Sequence, residues 1–112
     1  MKKIIVFLIF SIFIINTSSS QNKKYQKETF KVWGNCDMCK SLIENAAESI
    51  EGVKYARWNS KKGIIKVKFL TSKTDIDKIQ KAIADVGYDT ENYRADDDVY
   101  NNLHYCCKYE RK

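Results

Sequence analysis

The 112-residue sequence contains no proline, so it cannot build the cis-proline loop that faces the reactive cysteines of thioredoxin-like oxidoreductases. It also lacks an apolar run long enough to cross a bilayer. Residues 4–15 are apolar except for Ser11; as a helix they would rise about 18 Å against a hydrocarbon core of about 30 Å. No cysteine follows that run, which argues against a lipoprotein anchor there. Internal repeats and low-complexity segments are absent. Asp96-Asp97-Asp98 lacks the glycine and distal glutamate of a calcium loop, so it reads as a helix start with a solvated face.

What is present begins with an export signal. Met1-Lys2-Lys3, the apolar run and the small polar stretch Asn16-Thr17-Ser18-Ser19-Ser20 follow the order of a secretory signal peptide. Ser18 and Ser20 fill the small-residue positions before a cut at Gln21. Residues 1–20 are therefore expected to be removed, placing the protein in the periplasm or outside the cell, with membrane contact only during export. The formal charge then falls from +6 to +4, with 18 basic against 14 acidic residues. That charge is spread along the chain and, with export, argues against nucleic acid as the ligand. Residues 21–27 read as a polar, mobile leader.

One domain is expected over residues 28–94. Residues 29–33 read as a strand, and Gly34-Asn35 as a turn. From Met38 to about Glu51, the spacing of Leu42, Ile43, Ala46, Ala47 and Ile50 makes one face of a helix, ended by Gly52. Residues 53–59 form a second strand with Val53, Tyr55 and Trp58 as packing candidates; Lys61-Lys62-Gly63 is a hairpin turn. Ile65, Val67 and Phe69 alternate with Lys66 and Lys68 in a third strand. Thr74 is placed as the N-cap of a second helix with the stripe Ile76, Ile79, Ile83 and Val86. Gly87 ends it, and residues 88–93 are a fourth strand. The order predicts an α+β, ferredoxin-like βαββαβ sandwich, with two helices on one face of a four-stranded antiparallel sheet. Trp33 and Trp58 read as partly buried sheet residues. RNA-recognition domains share this order, and Lys62-Gly63-Ile64-Ile65-Lys66-Val67-Lys68-Phe69 echoes their strand motif. Ile64 and Lys66 replace its stacking aromatics, so no base platform is expected.

Cys36-Asp37-Met38-Cys39 stands where the first strand gives way to the first helix. A spacing of three directs both sulfurs to one side, and a helix N-terminus favours the thiolate. Thiolates prefer soft ions such as Cu(I). Two ligands make an open site able to release its ion, whereas a structural zinc site normally has four. With this order of elements, C-x-x-C at the first helix and Ala82-Ile83 with Gly87-Tyr88-Asp89 after it, residues 28–94 resemble the heavy-metal-associated domain. This is the module of copper chaperones, copper-transporting ATPases and periplasmic mercury-binding proteins. The resemblance implies a non-enzymatic protein that captures or transfers Cu(I), with Ag(I), Hg(II) and Zn(II) as alternatives, through Cys36 and Cys39. It implies a protein donor or acceptor such as a metal transporter, and a shielding role for Tyr88 beside the metal loop. The family's usual methionine two residues before the first cysteine is Gly34 here, and its next residue is Asn35, which implies a loop without its usual core anchor. Met38 reads as loop surface.

Residues 95–112 form a tail beyond the family's domain, with a short helix expected near residues 95–103. Cys106-Cys107 follows. Adjacent cysteines make a strained ring if bonded to each other. They are thus extra metal ligands folding back on the first site, partners in disulfides to Cys36 or Cys39, or a separate metal-handling tail. His104 adds a borderline donor but reads more readily as a surface histidine. The candidate metal site is thus Cys36, Cys39, Cys106 and Cys107. Its rivals are a thiol–disulfide oxidoreductase and an interaction domain whose cysteines are all disulfide-bonded.

Overall fold

The computed structural model describes residues 24–112; the signal-peptide reading and residues 21–23 of the leader lie outside them. Alternating polar and apolar residues set up three strands: β1 (Tyr25–Lys31), β2 (Val53–Asn59) and β3 (Ile64–Leu70). They form an antiparallel sheet in the order β1-β3-β2. β1 starts earlier than expected. Tyr25, Gln26 and Lys27 pair with Leu70, Phe69 and Lys68, so this part of the leader is sheet.

One face of the sheet, with Phe30, Ala56, Trp58, Ile65, Val67 and Phe69, is buried beneath helices α1 (Asp37–Glu48) and α2 (Ile76–Asp85). Ile43, Ile79 and Ile83 are fully buried there, each contributing about 1.5–3 kcal/mol by leaving water. Leu42 and Val86, expected on the apolar stripes, instead face outward at 41% and 40% exposure. Tyr55 likewise lies on the open face of the sheet, because the register shifts between Val53 and Tyr55.

The helix ends also differ from expectation. α1 stops at Glu48 with Ser49 as its cap, and Gly52 (φ 105°) serves the turn into β2. Asp75, not Thr74, caps α2: its carboxylate accepts the Lys78 N–H at 2.9 Å. Asn59 organises the hairpin turn, its side-chain oxygen accepting the N–H groups of Lys61 and Lys62.

The expected fourth strand is reduced to a single bridge, Val32 with Thr90. Two backbone bonds make it, Trp33 N–H to Asp89 C=O and Glu91 N–H to Lys31 C=O. Beyond them, local partners satisfy the chain before a ladder can form. The Thr90 N–H turns back to Tyr93 C=O at 2.8 Å, and the buried Gln80 side chain accepts from Thr90 Oγ1 and the Asn92 N–H.

Beyond Arg94, a short helix α3 (Asp97–Asn101) and a 3₁₀ turn (Tyr105–Cys107) pack onto the unit rather than trailing from it. Tyr109 is buried and stacks on Tyr88 at 5.6 Å between ring centres. Its hydroxyl accepts the Asp89 N–H and donates to Gly87 C=O, while Tyr100 meets its ring edge-on at 5.0 Å. Arg111 closes the latch on the buried Asp89 carboxylate, with contacts of 2.8 and 3.0 Å, and on Asp97 at 2.9 Å.

Candidate metal centre

The loop that carries Cys36 leaves β1 under several restraints. The Val32 N–H bonds to Gly63 C=O at 2.8 Å, and the Trp33 N–H to Asp89 C=O at 3.0 Å. Val32 C=O accepts the Trp58 indole N–H at 3.1 Å. The Trp58 ring lies directly beneath Gly34. A Cβ at Gly34 would stand 2.8 Å from the ring and 3.0 Å from Ile43 Cδ1. The family's methionine is missing, as expected; an indole fills the space below the loop instead, and glycine is the residue that leaves that indole room.

Cys36 is the N-cap of α1, with extended backbone angles. Its sulfur accepts no full capping hydrogen bond, yet the N–H groups of Cys39 and Met38 face it. Chiefly through the Cys39 N–H, and against partial burial, they lower its thiol pKa to about 7. A helix N-terminus stabilises a thiolate in this way. Cys39 lies one helical turn on, fully buried, with its sulfur 3.9 Å from that of Cys36. Met38 is exposed between them.

The 3₁₀ turn delivers the tail cysteines to the same place. Cys106 Sγ is 3.6 Å from Cys36 Sγ, and the Asn35 amide donates to Cys106 C=O at 3.1 Å. The sulfurs of Cys36, Cys106 and Cys107 all lie within 4.8 Å of one another. Cys107 is fully buried, facing Cys39 and Tyr88; burial, then the Cys39 contact, pushes its thiol up to about 12. Cys106 is also raised, first by its contact with Cys36. His104 stands outside this grouping: its Nδ1 accepts the Cys106 N–H, and its ring packs on Tyr105. Among the described residues, all four cysteines are free thiols. The tail therefore folds back on the first site and sets Cys106 against Cys36, the placement that both the extra-ligand and the disulfide arrangements require.

Tyr88 lies fully buried under the cluster rather than beside it. Its hydroxyl has no hydrogen-bond partner; burial first, then the sulfurs of Cys107 and Cys39, push its pKa up. Sequence reasoning missed Tyr109, Asp89 and Arg111 as the residues that hold the tail in register. No periodicity marks them, since each acts alone on partners about twenty positions away.

A soft-ligand cluster at the first helix of a sheet–helix sandwich defines a metal-binding module, and residues 29–89 match the heavy-metal-associated domain over more than half the chain. The chain belongs to that family. Copper chaperone CopZ of Staphylococcus aureus (strain MRSA252) is 38% identical over 55 residues, covering 49% of this chain and 81% of that protein. Among solved structures, oxidised MerP from Ralstonia metallidurans CH34 superposes with a TM-score of 0.58 at 30% identity, covering 61% of this chain and 96% of MerP. The N-terminal domain of a potential copper-translocating P-type ATPase from Bacillus subtilis, in its Cu(I)-loaded state, gives 0.57 at 25% identity, covering 60% and 85%. The family match ends at Asp89, so the tail with Cys106 and Cys107 lies beyond it.

Proposed function

We propose that this chain is a non-enzymatic carrier of a thiophilic cation, Cu(I) ahead of Ag(I), Hg(II) and Zn(II), ligated by Cys36 and Cys39 and working outside the cytoplasm. The observation that carries this reading is a Cys36 thiol with its pKa lowered to about 7 at a helix N-terminus, 3.9 Å from a second sulfur. Export rests on the basic, apolar and small-residue order of residues 1–20. The partner is a protein donor or acceptor of the same ion, such as a metal transporter; the ATPase domain named above shares this fold.

Transfer proceeds by ligand exchange. Cys36, the less buried of the pair, meets an incoming thiolate first. A sulfur–metal bond forms to the acceptor as the Cys36 bond breaks, while Cys39 keeps hold from the first turn of α1. A second acceptor thiolate then replaces Cys39, and the ion never leaves sulfur. The test is to mix the protein carrying one Cu(I) with a metal-free dithiol acceptor, in the presence of a chromophoric Cu(I) chelator. The expected result is transfer to the acceptor with no chelator signal. An ion that passes to no thiol competitor, or that passes only through the chelatable pool, contradicts the reading.

A further inference from the structure

The tail places two more sulfurs beside Cys36, and their geometry is specific. With a metal–thiolate bond of about 2.3 Å, sulfurs stand about 4.0 Å apart around a trigonal ion and about 4.6 Å apart across a linear one. Cys36 lies 3.6 Å from Cys106 and 3.9 Å from Cys39, both on the short, higher-coordinate side. Cys36, Cys106 and Cys107 already form a triangle of sulfurs with no side longer than 4.8 Å.

Tyr88 supplies an independent observation. Its hydroxyl is fully buried without a hydrogen-bond partner and faces the sulfurs of Cys107 and Cys39. A buried donor left unpaired costs about 1–3 kcal/mol. A thiol is a poor acceptor, whereas a metal-bound thiolate is a good one. The orphaned hydroxyl gains its partner once those sulfurs ligate an ion.

The turn is also fixed on both sides. Tyr100 on the α3 side donates to Tyr109 C=O at 2.7 Å, and Tyr109 and Arg111 are tied to Gly87 and Asp89. Cys106 is therefore held against Cys36 by the fold of the tail.

We propose that Cys106 and Cys107 act as built-in ligands that, with Cys36, hold the ion in a closed site of at least three thiolates, so that release to a partner requires the tail to lift away. Cys36 is common to this closed set and to the open pair Cys36–Cys39. The inference rests on the carrier reading above and adds its regulation: retention by the protein's own tail.

The test uses the full chain loaded with one equivalent of Cu(I), read by X-ray absorption at the copper edge and by competition with a chromophoric chelator. The wild type shows about three sulfurs per copper. Cys106→Ser/Cys107→Ser shows two, binds at least about tenfold more weakly, and gives its copper to a dithiol acceptor faster. Two sulfurs in the wild type, with affinity unchanged in the double variant, overturn the proposal. If the double variant does not fold, Cys106→Ser alone and the wild-type coordination number decide it, since Cys106 is only half-buried. Failure of the carrier reading looks different: the wild type binds no Cu(I), or Cys36→Ser leaves binding intact.

Discussion

Four sulfurs share one corner of this protein, and their positions give them different chemistry. Cys36 sits at the open end of α1, where the Cys39 and Met38 N–H groups face its sulfur; Cys107 is sealed under the tail with Tyr88 and Cys39 for neighbours. In the reduced, metal-free protein Cys36 is therefore the first thiol alkylated by iodoacetamide. Its rate climbs with pH through about 7, while Cys107, pushed up to about 12, reacts only after unfolding. Peptide mapping across a pH series reads both. Gly34 is the other residue under sharp constraint, because a methyl group there meets the rigid Trp58 ring at 2.8 Å. Gly34→Ala is expected to cost about 1–3 kcal/mol, the usual price of overpacking, measured as a lower urea midpoint; an unchanged midpoint would show that the indole can move aside.

Among the elements, the tail depends on one buried ion pair. Burial alone would raise the Asp89 carboxyl, but the Arg111 guanidinium and the Ala95 N–H outweigh it and hold the group below the usual carboxylate range. A depressed carboxylate contributes stability that is full above its unfolded value, about 3.9, and is lost as pH falls through the lower folded value. The protein should accordingly lose stability in acid below about pH 4, and Asp89→Asn should flatten that limb of the profile. Arg111→Met strands the Asp89 charge and is expected to cost about 3 kcal/mol, with Cys107 becoming reactive at neutral pH as the tail loosens. An Arg111→Met protein with wild-type stability and a protected Cys107 would contradict this account of the latch.

How far the sequence could be read follows from the range of each signal. α1, α2 and β3 were legible because their apolar spacing is local, and C-x-x-C at a helix start is a local pattern too. The fourth strand was not: residues 88–93 look extended, but the Gln80 side chain and the Thr90–Tyr93 turn satisfy their backbone before a ladder can form. The tail's docking rests on Tyr109 and Arg111 reaching Gly87 and Asp89, single residues without a period, so Cys106-Cys107 could be seen in the sequence but not placed.

At the scale of the whole molecule, the helices cover one face of the sheet and leave the other basic. On that open face Lys27 lies opposite Lys68, and Arg57 opposite Lys66. Like charges directly opposed across strands destabilise a sheet by about 0.2–1 kcal/mol per pair. Lys66→Glu is expected to raise the melting temperature slightly at low salt, with the gain shrinking as salt screens it; a loss of stability at low salt would count against this reading of the face. This change does not touch the cysteines, so metal binding should be indifferent to it.

The central claim is that Cys36 and Cys39 together form a soft-metal site. It is tested most directly by titrating the anaerobically reduced protein with Cu(I) against a chromophoric chelator, alongside Cys36→Ser/Cys39→Ser. The account predicts one tightly held ion in the wild type, and affinity at least about a hundredfold lower in the variant, a loss of roughly 2.7 kcal/mol. A wild type that leaves all the copper with the chelator, or a variant that binds as tightly as the wild type, would contradict it.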